Sequence, residues 1–130
     1  MKITMRSLLL ALLLPFSALF LTGCIAVVAG GVAAGGTAYV LGDLTTPVQA
    51  TPEQLEQAIQ KGGRDMGLQY IRGAGDETAG EYRFRNAEDR RITVKYSRKS
   101  PVFLEMSIRV GTFGDEAISR SLEEAILKHL

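Results

Sequence analysis

From Leu44 onward the chain alternates between two apolar periods. Leu44, Thr46 and Val48 alternate with Thr45, Pro47 and Gln49, which is the period-two pattern of a short strand. Pro47 has no N–H to give a ladder, so this strand is expected at a sheet edge. Leu55, Ala58, Ile59, Gly62 and Met66 then recur at helical spacing. Thr51-Pro52-Glu53-Gln54 starts that helix: Thr51 is a candidate N-cap, Pro52 suits the first helical position, and Gln54 can close a capping box. Gly62-Gly63 weakens the helix but allows a close approach to whatever it packs on, and Gly67 ends it.

Period two returns after the helix. Leu68 to Arg72 predicts a strand, followed by Tyr82 and Phe84 in alternation with Glu81, Arg83 and Arg85. Ile92, Val94 and Tyr96 alternate with Arg91, Thr93 and Lys95, and Val102 to Val110 alternates from end to end. Turn residues separate these runs at Gly73 to Gly80, Asn86 to Asp89 and Ser100-Pro101. A closing helix is predicted from about Gly114 to His129, with Thr112 as its cap and Ile118, Leu122, Ala125, Ile126 and His129 on one face. Glu116–Arg120 and Glu124–Lys128 are favourable i,i+4 pairs on it. The order strand, helix, three or four strands, helix implies an α+β fold. We expect a two-layer sandwich, an antiparallel sheet of four to five strands carrying both helices on one face.

The first 42 residues have a different character. Lys2 and Arg6 precede an apolar run, Leu8 to Leu14 and Phe16 to Leu21, that ends at the small Gly23. That is the three-part layout of a secretory signal over residues 1–23. The run is too short and wrongly flanked for a membrane span. Residues 24–42 begin at the only cysteine, Cys24, and continue as an uncharged Gly/Ala-rich stretch, read as a tether; its Gly31–Gly35 GxxxG is weak support for helix packing in a bilayer. The remaining domain is residues 43–130. Without Lys2 and Arg6 the chain has thirteen basic against fourteen acidic residues, which gives no electrostatic reason to expect nucleic acid as a partner. A single cysteine also excludes an intrachain disulfide and any multi-cysteine metal cluster.

Leu21-Thr22-Gly23-Cys24 resembles the lipobox of bacterial lipoproteins. The resemblance implies cleavage before Cys24, a thioether-linked diacylglycerol on its sulfur and a palmitate-type acyl chain on its amine. Two or more chains anchor a protein stably, where one does not. Ile25 stands where lipoproteins retained at the inner membrane usually have Asp, so the resemblance implies a periplasm-facing position at the outer membrane. Further along, Ile108 to Ser119 (IRVGTFGDEAIS) resembles a domain-of-unknown-function family of small bacterial lipoproteins. Its members combine a lipobox, a Gly/Ala-rich run ending near Tyr-Val, a helix, a β-meander and a strand-GTFGDE-helix ending. The matching pieces here are Cys24, Gly30 to Val40, Thr51 to Gly67 and Arg109 to Leu130. The family implies a location and a fold, and no activity.

The candidate chemistry is sparse. Gly111 to Asp115 leads into a helix N-terminus, where free N–H groups can hold an anion, but Asp115 would repel one and capping explains the segment. Arg83, Arg85, Arg91, Lys95 and Arg109 should all point away from the helices and could dock anionic headgroups or an acidic envelope protein. With Glu81 and Glu105 among them, the same residues also suit a solvated face laced with ion pairs. His129 is the only histidine, Asp76-Glu77 and Glu88-Asp89 fall in turns, and no catalytic arrangement, metal-ligand spacing or cofactor fingerprint is present in the sequence. The sequence therefore reads as a non-catalytic structural or protein-interaction module needing no cofactor. A small-ligand, headgroup or glycan-binding module is the alternative. A filled layer between Met66, Phe84, Tyr96, Met106 and Leu122 would favour the first and an open apolar pocket there the second.

Overall fold

In the computed structural model, residues 36–130 are described. They form β1 (Ala38–Val40), β2 (Asp43–Val48), α1 (Pro52–Asp65), β3 (Gln69–Gly75), β4 (Ala79–Arg85), β5 (Arg91–Arg98), β6 (Leu104–Val110) and α2 (Glu116–Leu127). The fold is α+β. Its strands make one antiparallel sheet of six in the order β1-β2-β6-β5-β4-β3. The buried positions of β2, β4, β5 and β6 alternate as expected, and their inward side chains meet Leu55, Ala58 and Ile59 of α1 and Leu122 and Ile126 of α2 in one core.

The sixth strand is a correction to the expected four or five. Ala38–Val40 lies within the stretch read as tether, yet it pairs with Asp43–Thr45 through a two-residue turn at Leu41-Gly42. β2 is therefore not the edge strand that Pro47 led us to expect: it lies between β1 and β6, and Pro47 is accommodated because β1 stops short of it and only Glu105 of β6 faces it. At α1 the expected start holds: Thr51 Oγ1 accepts from Gln54 N–H and the Gln54 side chain accepts from Thr51 N–H, closing the capping box. The glycine pair serves two partners. A Cβ on Gly62 would lie 2.8 Å from the backbone N of Ile126 in α2, and one on Gly63 would lie 2.6 Å from the Phe84 ring on the sheet.

Gly73, Gly75 and Gly80 were expected in a turn, but they belong to β3 and β4. A side chain at Gly73 would run into the Tyr82 ring, and one at Gly75 or Gly80 into Tyr96. These glycines seat the two tyrosine rings, which stack with centroids 6.3 Å apart. The turn itself is only Asp76 to Thr78. There the Asp76 carboxylate accepts from the Thr78 hydroxyl and N–H and from Ala79 N–H. β6 begins at Leu104, two residues later than the alternation suggested. Ser100 Oγ accepts from Val102 and Phe103 N–H and curls that segment into a turn, leaving Val102 exposed.

The last helix is shorter than Gly114 to His129, and Asp115 caps it rather than Thr112. The Asp115 carboxylate accepts from Ile118 N–H at 3.1 Å. Glu116 and Arg120 pair at 2.9 Å as expected. His129 lies beyond the helix, off the apolar face, with Nε2 2.6 Å from Asp65 Oδ2 at the end of α1. Inside, Glu123 is buried against β2, accepting from Thr46 and, at 2.7 Å, from Thr37. This bond network joins α2, β2 and the chain entering β1.

Candidate functional site

The strand register sets the outward face of the sheet. One row across it reads Asp43, Arg109, Thr93, Arg83, Arg72, and the next toward the β6–α2 loop places Arg91 opposite Arg85. Lys95 lies opposite both Ser107 and Glu81. Arg83, Arg85, Arg91, Lys95 and Arg109 therefore share the face away from the helices. Their partners differ. Glu81 is shared by Arg83 at 2.6 Å and Lys95 at 3.5 Å, and the Arg83 bond holds its carboxyl below the usual range. Arg85 pairs with Asp89 at 2.7 Å. Arg91 has no side-chain hydrogen bond or ion pair among the described residues and directly opposes Arg85, a like-charge juxtaposition that costs stability.

Arg109 is committed to the fold. Its Nε donates to Asp43 Oδ1 at 2.9 Å and its Nη2 to Asp43 Oδ2 at 3.1 Å, while Nη2 and Nη1 also donate to the carbonyls of Leu41 and Thr112 at 2.8 and 2.9 Å. One guanidinium thus ties the β1–β2 turn to the β6–α2 loop, a fixed fork that lysine could not reproduce. Two glycines complete the seam: a Cβ on Gly42 would meet the Phe113 carbonyl at 2.7 Å, and Gly114 packs on Gly42 in turn.

Beside this seam is an open concavity of about 660 Å³ with Arg85, Arg90, Arg91, Arg109, Thr112 and Phe113 in its lining. Among the described residues Asp89 is the only carboxylate in it. Arg90 reaches it from the β4–β5 turn and also donates to Asp115 at 3.1 Å. Ile118 N–H and then Arg90 keep the Asp115 carboxyl below its ordinary range, so the helix N-terminus already holds an anion of its own. Asp89, expected only as part of a turn, and Arg90, which no sequence signal singled out, join this group, and the contact Arg90–Asp115 across the turn is what brings Arg90 here.

The layer between the helices and the sheet is packed with apolar side chains. Phe84, Tyr96, Met106 and Leu122 are buried in one cluster, and Met66 packs against it half-buried. The concavity described above lies outside that layer. Two buried hydroxyls, those of Tyr82 and Ser119, find no partner among the described residues. Burial and then the neighbouring Tyr96 and Glu56 push the Tyr82 phenol well above its usual range.

Over residues 7–129 the sequence matches the family described as "Protein of unknown function (DUF3568)". The chain belongs to this family. The matched stretch takes in every element of the fold, and the resemblance drawn from the GTFGDE segment to a family of unknown function holds. A comparison with curated proteins finds no match. Cys24 and the GxxxG of the tether lie outside the described residues. Among the described residues no helix is long and apolar enough to cross a membrane, and no group of His, Cys, Asp or Glu side chains is arranged to hold a metal.

Proposed function

We propose that this chain is a lipid-anchored, periplasm-facing envelope lipoprotein, held through acyl chains on Cys24, whose folded part works by contact rather than catalysis. The observation that carries the reading is Leu21-Thr22-Gly23-Cys24 at the end of a charged-then-apolar leader, with the sole cysteine of the chain at the point of cleavage. Two further facts support it. The family match begins at residue 7, so it takes in most of the apolar run and Cys24 as well as the fold. The packed layer between helices and sheet supports an interaction module over one that encloses a small ligand. Ile25 after the cysteine favours the outer membrane.

The test is metabolic labelling with a fatty-acid analogue, followed by envelope fractionation of the wild type and of Cys24→Ser. The wild type should carry label and sediment with outer membrane, becoming open to protease only once that membrane is permeabilised. The variant should lose the label. Labelled Cys24→Ser, or unlabelled wild type, overturns the reading. The alternative of anionic headgroup binding is favoured by one observation, the arginine-lined concavity with a single carboxylate in its lining.

A further inference from the structure

The seam stitched by Arg109 presents two large apolar side chains to solvent. Leu41 is 89 % exposed and Phe113 is 91 % exposed, with Val40 beside them at 62 %. Leu41 and Phe113 come from loops far apart in sequence, and Arg109 holds the carbonyl of Leu41 and that of Thr112 at once. The two loops therefore form a rigid tip at one end of the sheet. Leu41 is also held at a φ of 53°, in the left-handed region that a branched apolar residue seldom adopts. The tip neither buries these side chains nor replaces them with the glycine and polar residues that such a turn prefers.

Beside the tip, Arg85, Arg90 and Arg91 with Arg109 line the concavity that Phe113 borders. The pairs Arg85–Asp89 and Arg90–Glu88, the latter at 3.6 Å, are exposed, and Arg90–Asp115 is half-buried. Exposed pairs of this kind are worth about 0–1 kcal/mol, so an incoming phosphate can compete for the guanidinium groups with little penalty. Arg91 has no such pair to give up among the described residues. Apolar side chains ringed by arginines fit an interface where acyl chains lie just beneath phosphates.

We propose that the Leu41–Phe113 tip inserts into the interface of a phospholipid bilayer, with Arg85, Arg90 and Arg91 on anionic headgroups. The proposal rests on the reading that Cys24 holds the chain at a bilayer. Gly36, where the described fold begins, follows Cys24 by twelve residues. That length spans at most about 40 Å, so the tip stays within reach of the lipid surface. Confinement turns docking into an intramolecular step, for which a weak, two-residue wedge is enough.

The chain has no tryptophan, so Phe113→Trp introduces a unique fluorescent probe. The acylated full-length product would be reconstituted on phosphatidylcholine vesicles, with and without phosphatidylglycerol and with bromine-labelled acyl chains. Lys61→Trp, beside the glycine pair that packs on the far end of α2, is the control. We expect the emission of Phe113→Trp to shift to shorter wavelength and to be quenched by bromine, more so with phosphatidylglycerol and less in high salt. The indole of Lys61→Trp should stay in water. Added to the probe variant, Leu41→Gly, which also relieves the left-handed backbone, should weaken docking by about tenfold, and Arg91→Ser should remove the advantage of phosphatidylglycerol. Flotation of the vesicles reads the anchor separately. If the chain floats but the indole of Phe113→Trp stays in water, the docking is wrong and the anchor stands. If the chain does not float, the anchor fails and the docking proposal with it. A shift that grows with protein concentration in the absence of vesicles means that a second copy covers the tip, which overturns the proposal. Quenching that ignores phosphatidylglycerol overturns the role given to the arginines.

Discussion

Replacing Gly62 with alanine sets two effects against each other. An interior helical glycine is about 1 kcal/mol less favourable than alanine, so propensity alone makes Gly62→Ala stabilising. Packing acts the other way. The new Cβ would lie 2.8 Å from the backbone N and the Cγ1 of Ile126 and 2.9 Å from its Cα, where relaxed carbon contacts are about 3.5–4.0 Å. Two of those three atoms are backbone, so no rotamer change clears the overlap, and α1 and α2 must part along a buried seam. Overpacking costs about 1–3 kcal/mol, and an unyielding neighbour belongs at the top of that range. The net expectation is a loss of roughly 2 kcal/mol, or a Tm lower by about 8–16 °C in a domain of this size. Urea unfolding followed by far-UV circular dichroism measures it, with Lys61→Gly beside it as a gauge of propensity at an exposed site in the same helix. Both midpoints should fall with the slope unchanged, Gly62→Ala by more. A Gly62→Ala midpoint at or above that of the wild type would refute the close helix crossing.

Other expectations follow from single contacts. Glu123→Ala removes the carboxylate that accepts from both Thr46 and Thr37, leaving those hydroxyls only each other, and should cost about 1–3 kcal/mol, measured by the same unfolding assay. Asp115→Ala should lower the thermal midpoint by several degrees while Thr112→Ala leaves it unmoved, which distinguishes the two caps. Asp76, Glu81 and Asp115 have folded pKa values lowered, chiefly by the Thr78 hydroxyl, Arg83 and the Ile118 N–H respectively. Their stabilisation is therefore complete above the ordinary values of 3.8 and 4.5 and is lost as pH falls below them, visible as an acid-side decline in the urea midpoint. Tyr82 and Tyr96 are raised, chiefly by burial, so stability should also fall as pH climbs past 10.0.

The elements with a strict period were legible in the sequence. α1 is marked by its capping box and apolar face, and β4, β5 and β6 by strict alternation, because one buried face leaves a period-two record. β1 was not legible. Ala38, Tyr39 and Val40 sit in an uncharged Gly/Ala-rich run, and what makes them a strand is pairing with β2 and the Thr37–Glu123 bond from α2, both non-local. Gly73, Gly75 and Gly80 read as turn residues because local sequence cannot show that tyrosine rings from neighbouring strands lie over them. The candidate face followed from alternation alone. The pairing within it did not: nothing in the spacing shows that Arg109 is committed to Asp43, Leu41 and Thr112 while Arg91 has no partner among the described residues.

The two borders of the sheet bear on how copies of this chain behave side by side. β1 closes one border with three residues, and β3 forms the other with a register break between Tyr70 and Arg72. An unbroken, flat edge invites a strand from a neighbour, whereas a very short edge or a bulged one carrying arginine does not. Molecules confined to a common surface, as the Cys24 reading has them, collide edge-on far more often than molecules free in solution. A sheet with both borders blunted can be crowded in two dimensions without zipping into its neighbours, which leaves its end and its outward face as the surfaces open to contact.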